Sequence, residues 1–461
     1  MTHRPDQPPV YDLVGVGFGP ANMSLGVLMQ EEAEAGRRDV SRLFLEAKPE
    51  PCWHPGLLLE ESTIQITVLK DLATVRDPQS RFSFLCYLKD KGRLFDFLNL
   101  RDLFPGRLEF NDYLTWVADQ LSADLRCGRR VESVEPVFDG SGEGVELVEV
   151  TARDAATGEL ERYRARNLVV ATGGRPWTPP GIEIQPDGRA FHARDFLMQM
   201  GEKFPDKQAP YRFVIVGAGQ SGAELFDHLV SNYPNADVTG TMRRFGYKPV
   251  DESDFTNKIF FPDMVDFIYD LPDGVRREVV DSFRDVNYAV VDMPLIRKIY
   301  RFLYDEKVLG RDRARLRPHM QLTGIREEED QAVVEFQHAL DPERHVEMEA
   351  DGVILATGFE WSSRHPALEP LAPWFEEAAD PEEGYAMARD YSIVTRDGFQ
   401  PRVYLQGYCE PTHGISETVL SLLPIRAEDI YRSLVAELEG ADPLEAVDAD
   451  VPKPVEPVPA T

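Results

Sequence analysis

The sequence predicts an α/β chain built on two dinucleotide-binding units, with a smaller segment inserted in the second. Three observations predict it. An apolar run, Val10-Tyr11-Asp12-Leu13, leads into Val14-Gly15-Val16-Gly17-Phe18-Gly19-Pro20-Ala21-Asn22. A second run, Phe213-Val214-Ile215-Val216, leads into Gly217-Ala218-Gly219-Gln220-Ser221-Gly222. Two further apolar strands, Asn167–Gly174 and Asp351–Phe359, each carry Ala-Thr-Gly near their end. An apolar strand running into a glycine turn and a helix start is the Rossmann fingerprint. One such turn is weak evidence, because glycine turns are common. Two in one chain predict one site for FAD and one for a nicotinamide cofactor.

Composition agrees. A chain of 461 residues, 43% hydrophobic and 28% charged, can bury two or three cores. The formal charge of −30, from 50 basic and 80 acidic residues, argues against nucleic acid and anionic membranes as partners. Cys52, Cys86, Cys127 and Cys409 are scattered without a C-x-x-C pair, which argues against a dithiol centre or a thiolate zinc site. No histidine spacing calls for a metal, and no signal segment or bilayer-length apolar run is seen, so a cytoplasmic location is expected.

Residues 1–9 are polar and proline-rich and read as a loose arm. At the first turn Gly17 makes the bend and Gly19 admits a pyrophosphate, with Asn22 where a third glycine is usual. A helix follows over Met23–Glu34, then a strand, Leu43-Phe44-Leu45, ending in Glu46. That acid falls where a Rossmann unit binds the adenosine ribose, although it would also suit an exposed strand end. The stretch from Cys52 to Pro78 lacks periodicity and reads as a structured loop region of the kind that carries specificity. Taken alone, Lys70 within it is a solvated surface lysine. Helices are expected over Phe82–Leu88 and Asn111–Leu121, with Tyr113, Trp116 and Val117 on a core-facing stripe. Between about Val131 and Arg166 the alternation predicts antiparallel strands lying over the first nucleotide fold.

The prolines after Arg175 make 175–210 a connector, and the second unit begins near Tyr211. Its second strand, Val238–Met242, ends in Arg243-Arg244. Arginine there favours the 2′-phosphate of NADP over the free hydroxyl of NAD, although an arginine pair also suits a solvated turn. From Lys248 to Asp292 runs an insertion rich in aromatics and acids. Ser416-Glu417 before an apolar run reads as a helix start. The expected domains are thus a first FAD-binding part over 1–208, an NADPH-binding domain over 209–350 with a substrate-binding insertion at about 248–300, a return of the FAD domain over 351–440, and an acidic proline-rich tail over 441–461, expected to be disordered.

These motifs, in this order, resemble the flavin-dependent amino-acid N-hydroxylases of siderophore biosynthesis, and among them the L-ornithine N5-monooxygenases. The matching pieces are Gly17–Asn22, Trp53-His54-Pro55, Gln65 with Lys70-Asp71-Leu72, Arg76-Asp77-Pro78, Gly217–Ser221, Phe255-Thr256-Asn257, Asn287-Tyr288, Ala356–Phe359 and Thr412-His413-Gly414. They span about residues 10–430. The resemblance implies that NADPH reduces FAD, that a C4a-hydroperoxyflavin forms with oxygen, and that the ornithine side-chain amine attacks it. It implies that Lys70 pairs with the substrate carboxylate, assisted by Asn257, and that Asn287 and Ser421 border the substrate. It also implies that Gln65 lies by flavin and nicotinamide, and that Arg243 holds the 2′-phosphate. Gly17, Gly19, Asn22, Glu46, Trp53, His54, Gly217, Gly219, Gln220, Ser221 and Gly222 complete the expected cofactor-binding set, and a homo-oligomer, a tetramer, is implied.

Chemistry supports that reading. An alkyl ammonium, with a pKa near ~10.4, has no lone pair, so the site must favour the neutral amine. Neutral partners such as Asn287 suit this, and a dry site protects the peroxide. The closest rival is lysine N6-hydroxylation, since one methylene is worth about 1–3 kcal/mol of discrimination. The others are a flavin monooxygenase of sulfur or carbonyl substrates, and a non-catalytic NADPH-sensing flavoprotein.

Overall fold

In the computed structural model, which describes residues 9–442 together with Leu444 and Val447, the N-terminal apolar run forms strand β1 (Val10–Val16). It is followed by helix α1 (Pro20–Glu34) and strand β2 (Arg42–Glu46). Helices α2 (Phe84–Asp90), α3 (Leu94–Leu100) and α4 (Arg107–Gln120) precede β3 (Leu125–Cys127) and an antiparallel meander of β4 (Arg129–Phe138), β5 (Val145–Asp154) and β6 (Leu160–Val170). β1 pairs in parallel with β2 and β6, and β2 with β3. Leu13, Val14 and Val16 are buried, as expected of a parallel strand covered on both faces.

The second unit follows the same plan. β7 (Arg175–Pro176), β8 (Ala190–His192) and α5 (Phe196–Lys203) lead to β9 (Arg212–Val216), α6 (Gln220–Asn232) and β10 (Asp237–Thr241). The insertion is helical, with α7 (Asp263–Tyr269), α8 (Asp273–Ser282) and then α9 (Met293–Val308). β11 (Ala314–Arg317) precedes a second meander of β12 (Met320–Glu327), β13 (Ala332–His338) and β14 (Asp341–Ala350), and the chain returns through β15 (Gly352–Leu355). The parallel order is β11-β10-β9-β15-β8. β16 (Phe359–Glu360) then pairs antiparallel with β7, so the outgoing and returning crossings are joined. β17 (Val403–Leu405) completes the first sheet against the C-terminal end of β6, and α10 (Glu410–His413) and α11 (Leu423–Glu439) follow.

Cores form where these layers meet. Leu13, Leu25, Leu28, Val169, Leu405, Ile430 and Leu434 share one cluster between the first sheet, α1 and α11. Tyr113 and Val117 lie in another, with Trp116 packed against it, so the aromatic stripe of α4 is core as expected.

Several boundaries differ from the sequence reading. α2 begins at Phe84 because the Ser83 hydroxyl caps it by accepting from Cys86 N. α4 starts at Arg107. β6 is one strand of 11 residues, so the meander is continuous with the parallel sheet. β8, inside the predicted connector, and β15, assigned above to the returning FAD domain, both belong to the second sheet. Each meander must re-enter the middle of its own sheet to cover the first strand's open edge, and β15 does for the second unit what β6 does for the first. Ser416 does not start the long helix. Extended backbone at Val419 intervenes, and α11 begins at Leu423. Residues 1–8, and the tail from 441 except Ala441, Asp442, Leu444 and Val447, lie outside the described residues.

Candidate active site

The first glycine turn is closed by contacts that only a bare Cα allows. Gly17 has φ +84°, and a Cβ there would sit 2.6 Å from the Ala171 carbonyl oxygen, so the first Ala-Thr-Gly strand end rests on the turn. Asn22 takes the place of a third glycine and is fully buried. Its Nδ2 donates to the Gly17 carbonyl at 2.7 Å, and its Oδ1 accepts from Gln406 at 2.8 Å. Its side chain therefore shapes the cradle from within. Gly19 caps α1 without a side-chain cap, and among the described residues a Cβ there would meet nothing within 4 Å. Glu46 is buried and accepts from the N–H groups of Phe18 at 2.8 Å and Lys48 at 2.9 Å. An open helix N-terminus beside a buried acid at the end of β2 fits the pyrophosphate and ribose of a dinucleotide. Trp53 anchors its N–H on Asn111 Oδ1, and the His54 ring lies between those of Trp53 and Phe359, at 5.0 and 6.0 Å.

The second turn repeats the device. A Cβ on Gly217 would lie 2.1 Å from the Ala356 carbonyl oxygen, and one on Gly222 would lie 2.6 Å from that of Gly217. Gly219 caps α6, with Gln220 and Ser221 opening the helix. The Gln220 side chain is already engaged with Glu224 and Asp292, so its backbone N–H is what it offers a phosphate. Arg243 is exposed at the end of β10 and has no partner among the described residues, whereas Arg244 faces Asp285 at 3.7 Å. The Lys248 ammonium beside Asp285 holds that carboxyl below its usual range. A free arginine at the end of the second strand fits a 2′-phosphate.

Between the two turns, four segments converge. Lys70 is half-buried, its Nζ 6.0 Å from the Phe260 ring and without an ion pair among the described residues; burial lowers its pKa. Phe260 shares a 3-10 turn (Thr256–Phe260) with Asn257, whose Nδ2 donates to the Glu252 carbonyl at 3.2 Å. Ile259, Val286 and Ile415 pack in one cluster, which brings the neighbourhoods of Asn257 and Asn287 to the return segment. Leu420, next to buried Ser421, packs on the cluster of Ile64, Val68 and Leu72 that frames Lys70. The side chains of Asn287 and Ser421, like that of Lys70, make no hydrogen bond among the described residues. Gln65 is placed differently: its Nε2 donates to Asp292 at 3.2 Å.

Several pairings of this region were not found in the sequence. Arg426 pairs with Glu417, both buried, and Glu417 accepts from Gly407 N at 2.5 Å. Arg389 joins Asp266 of α7 at 2.5 Å to Asp429 of α11 at 3.0 Å. The Tyr288 hydroxyl donates to Glu410, whose carboxyl is raised by burial. These pairs link distant segments and leave no local pattern. Among the described residues, no group of three or more His, Cys, Asp or Glu could hold a metal ion, and no helix is long and apolar enough to cross a membrane.

Residues 9–361 match the family described as L-lysine 6-monooxygenase/L-ornithine 5-monooxygenase. The chain is 38% identical over 441 residues to L-ornithine N(5)-monooxygenase of Pseudomonas aeruginosa, covering 95% of this chain and 97% of that one. Its structure is similar to that of an ornithine N-hydroxylase of Kutzneria sp. 744, whose complex is described as FADred-NADP+-L-orn (TM-score 0.87, 34% identity, 93% of this chain and 100% of that one). It is also similar to that of L-lysine 6-monooxygenase from Pseudomonas syringae (TM-score 0.81, 32% identity, 93% and 100%). The chain belongs to this lysine/ornithine monooxygenase family.

Proposed function

We propose that this member of the L-lysine 6-monooxygenase/L-ornithine 5-monooxygenase family hydroxylates the side-chain amine of L-ornithine, using FAD, NADPH and oxygen, for hydroxamate siderophore biosynthesis. The observation that carries the reading is the convergence, between two dinucleotide cradles, of the segments that carry Lys70, Asn287 and Ser421, whose side chains make no hydrogen bond among the described residues. When bound and reduced, the flavin supplies the activated oxygen; the chain supplies the rest.

Gly17, Gly19 and Glu46 hold FAD, while Gly217, Gly219, Gly222, Ser221 and the N–H of Gln220 hold NADPH, with Arg243 on its 2′-phosphate. Lys70, with Asn257 beside it, takes the substrate carboxylate, which fixes the reach of the side chain. A charge-assisted pair in a half-buried site is stronger than the same pair in water. Asn287 meets the amine as a neutral partner, and burial of the kind that lowers the Lys70 pKa also favours the uncharged amine there. Four free cysteines and the use of NADPH go with a cytoplasmic location. Phe95, Leu98 and Leu100 expose apolar surface on α3, which supports a homo-oligomer; light scattering of the purified chain tests it.

The test of the function is a product assay with FAD, NADPH and either L-ornithine or L-lysine. Hydroxylamine from ornithine, with mainly peroxide in its absence, is expected. Hydroxylamine from lysine instead would establish the rival, and none from either would remove the reading.

A further inference from the structure

A chain of side-chain hydrogen bonds crosses between the two nucleotide units. From the first unit come Gln65, in the loop region before α2, and Arg107, the first residue of α4. From the second come Gln220 and Glu224 of α6 and Asp292, which precedes α9. Arg107 donates to Glu224 Oε1 at 2.8 Å, and also to the Leu57 carbonyl at 2.8 Å, while its N–H donates to the Ser62 carbonyl at 2.8 Å. Gln220 Nε2 divides its two hydrogens between Glu224 Oε1, at 3.1 Å, and Asp292 Oδ2, at 2.8 Å. Its Oε1 accepts from Asp292 N at 3.0 Å, and Asp292 Oδ1 accepts from Gln65 at 3.2 Å.

This is more than surface pairing. The Arg107 and Glu224 side chains are 12% and 5% exposed, and the second oxygen of Glu224 is buried without a partner among the described residues. A buried carboxylate of that kind is costly to keep and strongly destabilising to leave without its cation. Its net contribution to stability is small, so its effect lies in fixing geometry. Three residues of the chain border the proposed machinery: Gln65 at the loop framing Lys70, Gln220 in the glycine turn, and Asp292 closing the segment that carries Asn287. That segment also touches the turn directly, since a Cβ on Gly219 would lie 3.6 Å from the Ala289 Cα, and Ala289 has φ +57°.

We propose that Asp292 and the Arg107–Glu224 pair form a clasp that sets the separation of the two cradles and so aligns the nicotinamide with the flavin; Asp292 is a positioning residue. The inference rests on the function proposed above only in taking the two cradles to hold flavin and NADPH. Hydride transfer tolerates little misplacement, and a displacement of about 1 Å costs on the order of 100-fold.

The test compares Asp292→Ala and Glu224→Gln with the unaltered full-length protein. Hydrogen exchange of the ligand-free chain is expected to quicken in residues 57–66 and 217–224. In the flavin-loaded protein, the anaerobic rate of flavin reduction at saturating NADPH is expected to fall roughly 10- to 100-fold. The FAD content and the NADP+ dissociation constant should stay within about threefold, a split that a merely structural role would not produce. Unchanged exchange across these segments, an unchanged reduction rate, or a loss confined to NADP+ affinity would each overturn the clasp. Because flavin reduction needs no amine substrate, a failure of the ornithine reading leaves this test intact. If Asp292→Ala does not retain flavin, Glu224→Gln, which keeps the shape of the carboxylate, decides the matter.

Discussion

Gln406 donates its side-chain amide to Asn22 Oδ1 at 2.8 Å, across 384 residues of sequence. The contact joins the end of β17 to the first glycine turn, and it continues through Gln406 Oε1, which accepts from Arg426 at 3.2 Å, to the buried Arg426–Glu417 pair. The first cradle is therefore finished by residues from the far end of the chain.

Asn22→Gly would restore the usual third glycine yet strip Gly17 and Gln406 of their partner. A loss of about 1–3 kcal/mol is expected from leaving buried polar groups unpaired, read as a lower urea midpoint, together with weaker retention of FAD. A variant as stable and as yellow as the parent would show that the fingerprint, not the bridge, shapes the turn.

For Lys70→Ala, the ornithine KM should rise roughly 10- to 100-fold, as expected for losing a charge-assisted hydrogen bond, with FAD content unchanged. Steady-state kinetics over a range of ornithine concentrations checks this. An unaltered KM would return Lys70 to the surface lysine that its sequence alone suggests.

Arg243→Ala should raise the KM for NADPH roughly 10- to 100-fold while changing that for NADH little, because only NADPH offers a 2′-phosphate. Equal losses with both coenzymes would put Arg243 on a part they share.

Burial and the nearby Arg389 hold the His413 imidazole down to about 3, and the ring is 1% exposed. Below the ordinary value of 6.5 the unfolded chain takes up a proton that the folded chain refuses until about pH 3. Stability is therefore lost as pH falls through that window, by about 1.4 kcal/mol per unit for one proton. Asp429, raised to about 6 by burial, slopes the other way between 3.8 and 6, so the difference between parent and variant isolates the histidine. Chemical denaturation of His413→Gln between pH 6.5 and 4 should show a shallower fall than the parent, and parallel curves would contradict the assignment.

The glycine turns, the Ala-Thr-Gly strand ends and the aromatic stripe of α4 were legible because each is a local pattern with one physical cause. The segments holding Lys70 and Asn287 were located by motif. What eluded the sequence was pairing across distance. Arg107 and Glu224 stand 117 residues apart and Gln65 and Asp292 stand 227 apart, with nothing in either neighbourhood to announce the other. β8 was hidden for a related reason: three residues become a strand only when β15 supplies an edge.

The late arrival of β17 has a consequence for synthesis. The C-terminal end of β6 emerges from the ribosome early, yet its edge partner follows roughly 230 residues later, about 10–50 s at ordinary elongation rates. During that interval the nascent first sheet carries an uncovered strand while the whole second unit is being made. That unit, whose outgoing and returning crossings are tied together by β7 and β16, can complete itself first. The inserted body can therefore mature while the body that began the chain still waits for its last strand.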